Sequence, residues 1–236
     1  MSGFLGEFFG TTMLILLGDG VVAGVLLNRS KAENGGWIVV TAGWAFAVMG
    51  GVFTARALQA PGFINPVGPV AFVIMGKLAV ADALPMIAGE FFGAFAGAVL
   101  VWLHYLPHWR ETADPGAKLA VFCTGPAIRN LAANVLSEAI ATFALVFVGA
   151  SIIEKEIGRG FVAPLGGALV WGIGLSLGGP TGYAINPARD LGPRVAHTVL
   201  PIVGKGDSDW GYAWVPVVGP LIGGVVAAVL LKALGT

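Results

Sequence analysis

The chain has 236 residues, of which 56% are hydrophobic and 11% charged, with a formal net charge of zero. A mean hydropathy of +0.85 excludes an ordinary water-soluble domain and points to membrane spans, which need roughly 20 apolar residues each. No basic tract recommends nucleic acid as a partner. The single Cys123 excludes an intrachain disulfide or a cysteine metal cluster.

In chain order, MSGFLGEFFG has no basic region and no cleavage site, and the apolar run behind it is too long for a signal peptide. A first span is therefore predicted over Phe4–Leu27, and a second, after the polar break NRSKAENGG, over Trp37–Phe53. Val67–Gly76 is apolar but too short to cross, since about ten helical residues rise only roughly 15 Å. It is predicted to be a re-entrant half-helix. Further spans are predicted over Leu84–Leu106, Leu131–Ile153, Phe161–Leu177 and Tyr212–Leu234, with a second half-helix over Ala188–Leu200. The breaks HWRETADPGAK, EKEIGRG and GKGDSDWG carry the polar punctuation. HYLPHW reads as an aromatic membrane-interface segment. His104, His108 and His197 form no ligand or triad spacing, so neither a metal nor a cofactor is expected and an enzyme is disfavoured. GxxxG spacings at Gly6/Gly10, Gly20/Gly24, Gly93/Gly97 and Gly219/Gly223 are expected to pack helix backbones tightly.

The chain reads as a duplication. GEFFGTTMLILLG with Glu7 is echoed by SEAIATFALVFVG with Glu138, and GAFAGAVLVWL by GPLIGGVVAAVLL. PGFINPVGPV, with Asn65, is echoed by TGYAINPARDLGPR, with Asn186. Three spans per unit is an odd number, so the second unit inserts upside down. The half-helices then enter from opposite faces and meet near the midplane, where inverted repeats place a transport site.

Asn is a favoured N-cap and Pro a favoured first helical residue, so Asn-Pro starts a helix. At membrane depth such a start must line a cavity or be buried in protein. Two facing asparagines aim amide donors at whatever passes between them, and two helix N-termini add a positive potential that repels cations and protons.

Together, GEFFGT, GFINPVGP, SEAIATF, GPTGYAINPARDLGPR and WVPVVGPLIGG resemble the major intrinsic protein family, the aquaporins and glycerol facilitators. The resemblance covers essentially the whole chain. It implies an all-α fold of six transmembrane helices plus two re-entrant half-helices in one channel domain, with inverted repeats over about 1–120 and 121–236. It also implies a homotetramer with one pore per subunit and a multi-pass plasma-membrane location with a cytoplasmic N-terminus. Asn65-Pro66-Val67 and Asn186-Pro187-Ala188 correspond to the paired central motifs, and Glu7 and Glu138 to carboxylates that brace the half-helix loops. Trp44, Gly174, Tyr183 and Arg189 correspond to the narrow ring, while Asp190 and Arg194 hold the loop that carries Arg189. In that ring Gly174 vacates a corner for a carbon chain, Trp44 and Tyr183 make an apolar corner, and Arg189 offers a fork of donors to hydroxyls. The implied function is a passive channel for glycerol and other small uncharged solutes, with water, excluding protons and ions. Dihydroxyacetone, urea, neutral lactic acid and hydrogen peroxide are further candidates. The rival reading is a proton-coupled secondary transporter of a small polyol or organic acid, using Glu7 and Glu138 for coupling.

Three departures carry their own expectations. Val67 stands where the family usually has Ala, and its methyls should make the meeting of the half-helices bulkier. Pro69 lacks an amide hydrogen, so the carbonyl of Asn65 should be left free to face the pore. Glu90 is expected near the cytoplasmic end of the third span, partly solvated.

Overall fold

The computed structural model describes residues 3–154 and 159–235. Every regular element among the described residues is helical. In chain order these are α1 (Gly3–Leu26), α2 (Trp37–Ala57), α3 (Val67–Ile74), α4 (Val80–His104), α5 (His108–Glu111), α6 (Pro115–Phe122), α7 (Leu131–Glu154), α8 (Val162–Leu177), α9 (Pro187–Val199) and α10 (Val215–Ala233). The helices α1, α2, α4, α7 and α10 are long and apolar enough to cross a membrane. The fifth predicted span, α8, has 16 residues, which rise about 24 Å. A 3₁₀ turn over Arg159–Phe161 leads into it. Within the predicted break EKEIGRG, residues 155–158 lie outside the described ones.

Two short helices, α5 and α6, occupy the connection made by the interface segment HYLPHW and the polar break HWRETADPGAK. The signal for α6 was available: the Asp114 carboxylate accepts the Gly116 amide at 2.7 Å, with Pro115 at the first helical position. Trp109 of α5 is buried, stacks on Phe122 and donates its indole N–H to the Trp102 carbonyl at 2.9 Å.

In the first half of the chain α1 packs between α2 and α4, and in the second half α7 packs between α8 and α10. The halves join along α2 and α8, and each half-helix lies against a long helix of the other half, α9 on α4 and α3 on α10. Small residues make these approaches. A Cβ built on Gly93 would stand 2.3 Å from the Phe8 carbonyl oxygen, and one on Gly223 would stand 2.0 Å from that of Ala139. Backbones this close exchange dispersion contacts that larger side chains would forbid. Of the four GxxxG spacings, Gly20/Gly24 does not do this, since Gly20 has open space in front of it. Large apolar side chains such as Ile38, Phe46, Phe92 and Val226 point outward and are exposed, as lipid-facing positions require.

Candidate functional site

The two half-helices start inside the protein, and their first turns are tied to each other. The Asn186 side-chain oxygen caps α9 by accepting the Ala188 and Arg189 amides at 3.0 and 3.1 Å. The Asn65 oxygen accepts the Val67 amide at 3.1 Å. Each side-chain amide then reaches across: Asn65 Nδ2 donates to the Ile185 carbonyl at 2.8 Å, and Asn186 Nδ2 donates to the Ile64 carbonyl at 2.7 Å. An amide nitrogen carries two hydrogens, so this exchange uses one on each side and leaves the other. Sequence reasoning found the paired donors but not the bond between the loops.

The carbonyls of Ile64 and Ile185 are turned toward these donors by an unusual backbone, with φ of 47° and 44°. Left-handed geometry in a β-branched residue costs on the order of 1–3 kcal/mol, so something must hold it. On one side Glu7, fully buried, accepts the Gly62 and Phe63 amides on Oε1 at 2.7 and 3.0 Å and the Ile64 amide on Oε2 at 2.8 Å. On the other, Glu138 accepts the Thr181 hydroxyl and the Ala184 amide on Oε1 at 2.6 and 3.0 Å, and the Ile185 amide on Oε2 at 2.8 Å. The two carboxylates thus take corresponding positions in the two halves. Charge-assisted bonds of this kind are roughly twice as strong as neutral ones.

Glu90 corrects an expectation. It is completely buried in the middle of α4, and its Oε1 accepts the Asn65 amide at 3.1 Å, so it is neither solvated nor near a helix end. The Asn65 carbonyl corrects a second. Pro69 cannot donate to it, but the Gly68 amide does, at 2.8 Å. A tighter i+3 bond replaces the missing i+4 bond, and the oxygen is not left free. Val67 corrects a third. One of its methyls fills the space above Gly224 of α10, where a Cβ would stand 2.2 Å from Cγ1. The extra bulk is taken up by a gap in α10.

Two cavities, of about 210 and 320 Å³, share Trp44, Gly182, Tyr183 and Arg189 in their linings. Asn65, Val67, Asn186 and Ile185 line the first, and Trp37, Cys123 and Thr124 the second. Three of the four expected ring residues therefore sit together between the cavities. Gly174 lines neither. Its vacated corner is filled by the Tyr183 ring, whose Cζ would lie 2.7 Å from a Cβ at residue 174. Tyr183 is held edge-on by Trp37, which donates its own N–H to the Gly174 carbonyl at 3.1 Å. Among the described residues the buried Tyr183 hydroxyl has no hydrogen-bond partner.

Arg189 is buried and lies flat over Trp44, with its central carbon 4.2 Å from the ring centroid. Its Nη1 donates to the Phe122 carbonyl at 3.3 Å. The next residue, Asp190, faces away. Oδ2 accepts the amide and hydroxyl of Thr124, both at 2.8 Å, and Oδ1 accepts Arg194 Nε at 2.9 Å. Arg194 in turn donates to the carbonyls of Ser208, Asp209 and Thr124. This buried knot ties α9 to the segments before α7 and before α10.

Sequence reasoning missed Asp19. It is fully buried in α1, with Oδ1 3.8 Å from Arg189 Nη1. A carboxylate inside an apolar span is a functional candidate by default, so the signal was there in LILLGDGVVAGV. His104 and His108 fall at the end of α4 and the start of α5, and His197 is buried in the last turn of α9. Among the described residues no cluster of side chains could hold a metal ion.

The fold and the paired half-helix starts define a class: a multi-pass helical membrane protein with a passage between two halves. The chain belongs to the major intrinsic protein family, whose family model matches residues 1–231. It is 53% identical to a probable glycerol uptake facilitator protein of Thermotoga maritima, over 98% of both chains. It is 38% identical to a D/L-lactic acid transporter of Lactiplantibacillus plantarum, over 95% of this chain and 94% of the other. The crystal structure of the aquaglyceroporin of Plasmodium falciparum superposes with a TM-score of 0.85 at 26% identity, covering 97% of this chain and 94% of the other.

Proposed function

We propose that the protein is a passive channel of the cell membrane that conducts glycerol and other small uncharged solutes, together with water, and excludes protons and ions. The observation that carries this reading is the arrangement between the two cavities, where Trp44, Tyr183 and Arg189 meet a short distance from the paired Asn65 and Asn186. Trp44 and the ring of Tyr183 offer apolar surface to a carbon chain. Arg189 and the free hydrogens of the two asparagine amides offer partners to solute hydroxyls. The relative from Thermotoga, matched end to end, is named for glycerol uptake, which agrees with that division of surfaces.

Exclusion of protons follows from the same geometry. Water oxygens drawn to the asparagine donors and the two helix starts face the junction from both sides, so a proton wire cannot run through it. Glu7 and Glu138 are engaged in bracing the loops through five backbone amides, which suits a fixed scaffold better than proton coupling. Assembly as a homotetramer with one pore per subunit, and inverted repeats over about 1–120 and 121–236, complete the reading. Stopped-flow light scattering of proteoliposomes challenged with glycerol, urea, lactic acid at low pH and mannitol tests it. Rapid glycerol entry with mannitol excluded is the expected result. Empty-liposome rates for every solute would sink the reading.

A further inference from the structure

Asp19 neither braces a loop nor caps a half-helix. It sits in the interior of α1 with no exposed surface, and neither carboxylate oxygen accepts a hydrogen bond among the described residues. A charge in that condition is expensive unless an opposite charge compensates it. Arg189 has the complementary problem. Its guanidinium stays protonated in any protein environment, yet its neighbours are an indole face and one carbonyl. Asp190, adjacent in sequence, is not available as its counter-ion, because Thr124 and Arg194 occupy both carboxylate oxygens. Glu138 is likewise occupied by Thr181, Ala184 and Ile185. Asp19, 3.8 Å away, has its oxygens uncommitted.

We infer that Asp19 is the counter-ion of Arg189, a specificity-determining residue that acts through the arginine without touching solute. The pair has no net charge, so the constriction keeps a hydrogen-bond donor fork for hydroxyls without the field that would draw anions onto it. Remove the carboxylate, and the same guanidinium becomes an uncompensated cation in a water-poor cleft. Such a cleft concentrates counter-ions by about 10-fold or more. A small anion would then occupy the position that a solute hydroxyl uses.

This inference rests on the reading that Arg189 lines the conduit, and the test separates the two. Glycerol entry into proteoliposomes is measured at neutral pH in rising sodium nitrate, against sodium gluconate as an anion too bulky for the ring. The wild-type rate should be insensitive to nitrate. Asp19→Asn should be inhibited by nitrate at concentrations about 10-fold lower than any effect on wild type, and the Asp19→Asn/Arg189→Val double variant should lose that sensitivity. An Asp19→Asn channel as indifferent to nitrate as wild type overturns the inference. Arg189→Val reports on the underlying reading, because unchanged ranking of glycerol, urea and water in that variant would remove Arg189 from the conduit. If Asp19→Asn fails to reach the membrane, restored insertion in the double variant is the same pairing read through stability. Failure of both overturns it.

Discussion

Val67 and Gly224 fit each other as side chain to gap: the valine methyl occupies the place where any β-carbon on residue 224 would have to go. The pair joins the first half-helix to the last long helix. Val67 is nearly inaccessible, so it has no freedom to swing aside. Gly224→Ala should therefore destabilise the protein by about 1–3 kcal/mol, the usual cost of overpacking. Val67→Ala in the same chain should recover most of that loss. Thermal unfolding in detergent of the two single variants and the double variant checks it, and additive losses would show that the residues are independent.

Glu7 offers a sharper experiment than a deletion. In Glu7→Gln the oxygen that accepts the Gly62 and Phe63 amides can be kept, but the one that accepts the Ile64 amide becomes a donor facing a donor. The left-handed Ile64 then loses its restraint. A loss of about 2–3 kcal/mol is expected from one charged acceptor withdrawn in a buried site. Glycerol flux should fall with it, since the Ile64 carbonyl is what holds the Asn186 amide. Melting temperature and flux measured on the same preparation check both.

Glu90 should behave differently from Glu7, because only one of its oxygens is engaged. Glu90→Gln keeps an acceptor for the Asn65 amide and should change stability by less than about 1 kcal/mol, whereas Glu90→Leu orphans that amide and should cost about 1–3 kcal/mol. Equal effects of the two would place the requirement on charge or shape, not on the hydrogen bond. Denaturation curves of both variants decide it.

The position of the Tyr183 ring over Gly174 makes a small substitution informative. A β-carbon at 174 would lie 2.7 Å from the ring and 2.9 Å from its hydroxyl oxygen, so Gly174→Ala must push the phenol toward the constriction. Glycerol is wider than water and should lose more. A barrier raised by about 1.4 kcal/mol gives a tenfold drop in glycerol permeability, with water expected to stay within about twofold. Parallel osmotic and solute-entry measurements check the ratio.

Much of this was legible in the sequence for a physical reason. Apolar runs of span length announce long helices, and Asn-Pro announces a helix start wherever it lies, so all eight expected helices are found near their expected bounds. The duplication then implied that the two starts face each other. What the sequence could not supply was how side chains divide the space between elements. Gly174 reads as a vacancy until the Tyr183 ring is seen to fill it. Val67 reads as excess bulk until Gly224 is seen to receive it. Glu90 and Asp19 are each a single acidic residue in an apolar helix, and only the packing tells which face they take: one turned to the Asn65 amide, the other to Arg189. The α5 and α6 helices are short and lie in a polar segment, where Asp114-Pro115 is a helix-start signal without the apolar run that marks a span.

In the proposed channel, solute moves passively through a fixed junction between the half-helices. Initial glycerol entry into proteoliposomes, followed over a wide range of glycerol gradients with and without an imposed proton gradient, tests it most directly. The expected rate rises in proportion to the glycerol gradient and is the same with and without the proton gradient. A rate that saturates and is accelerated by protons moving inward would contradict it and would favour a coupled transporter.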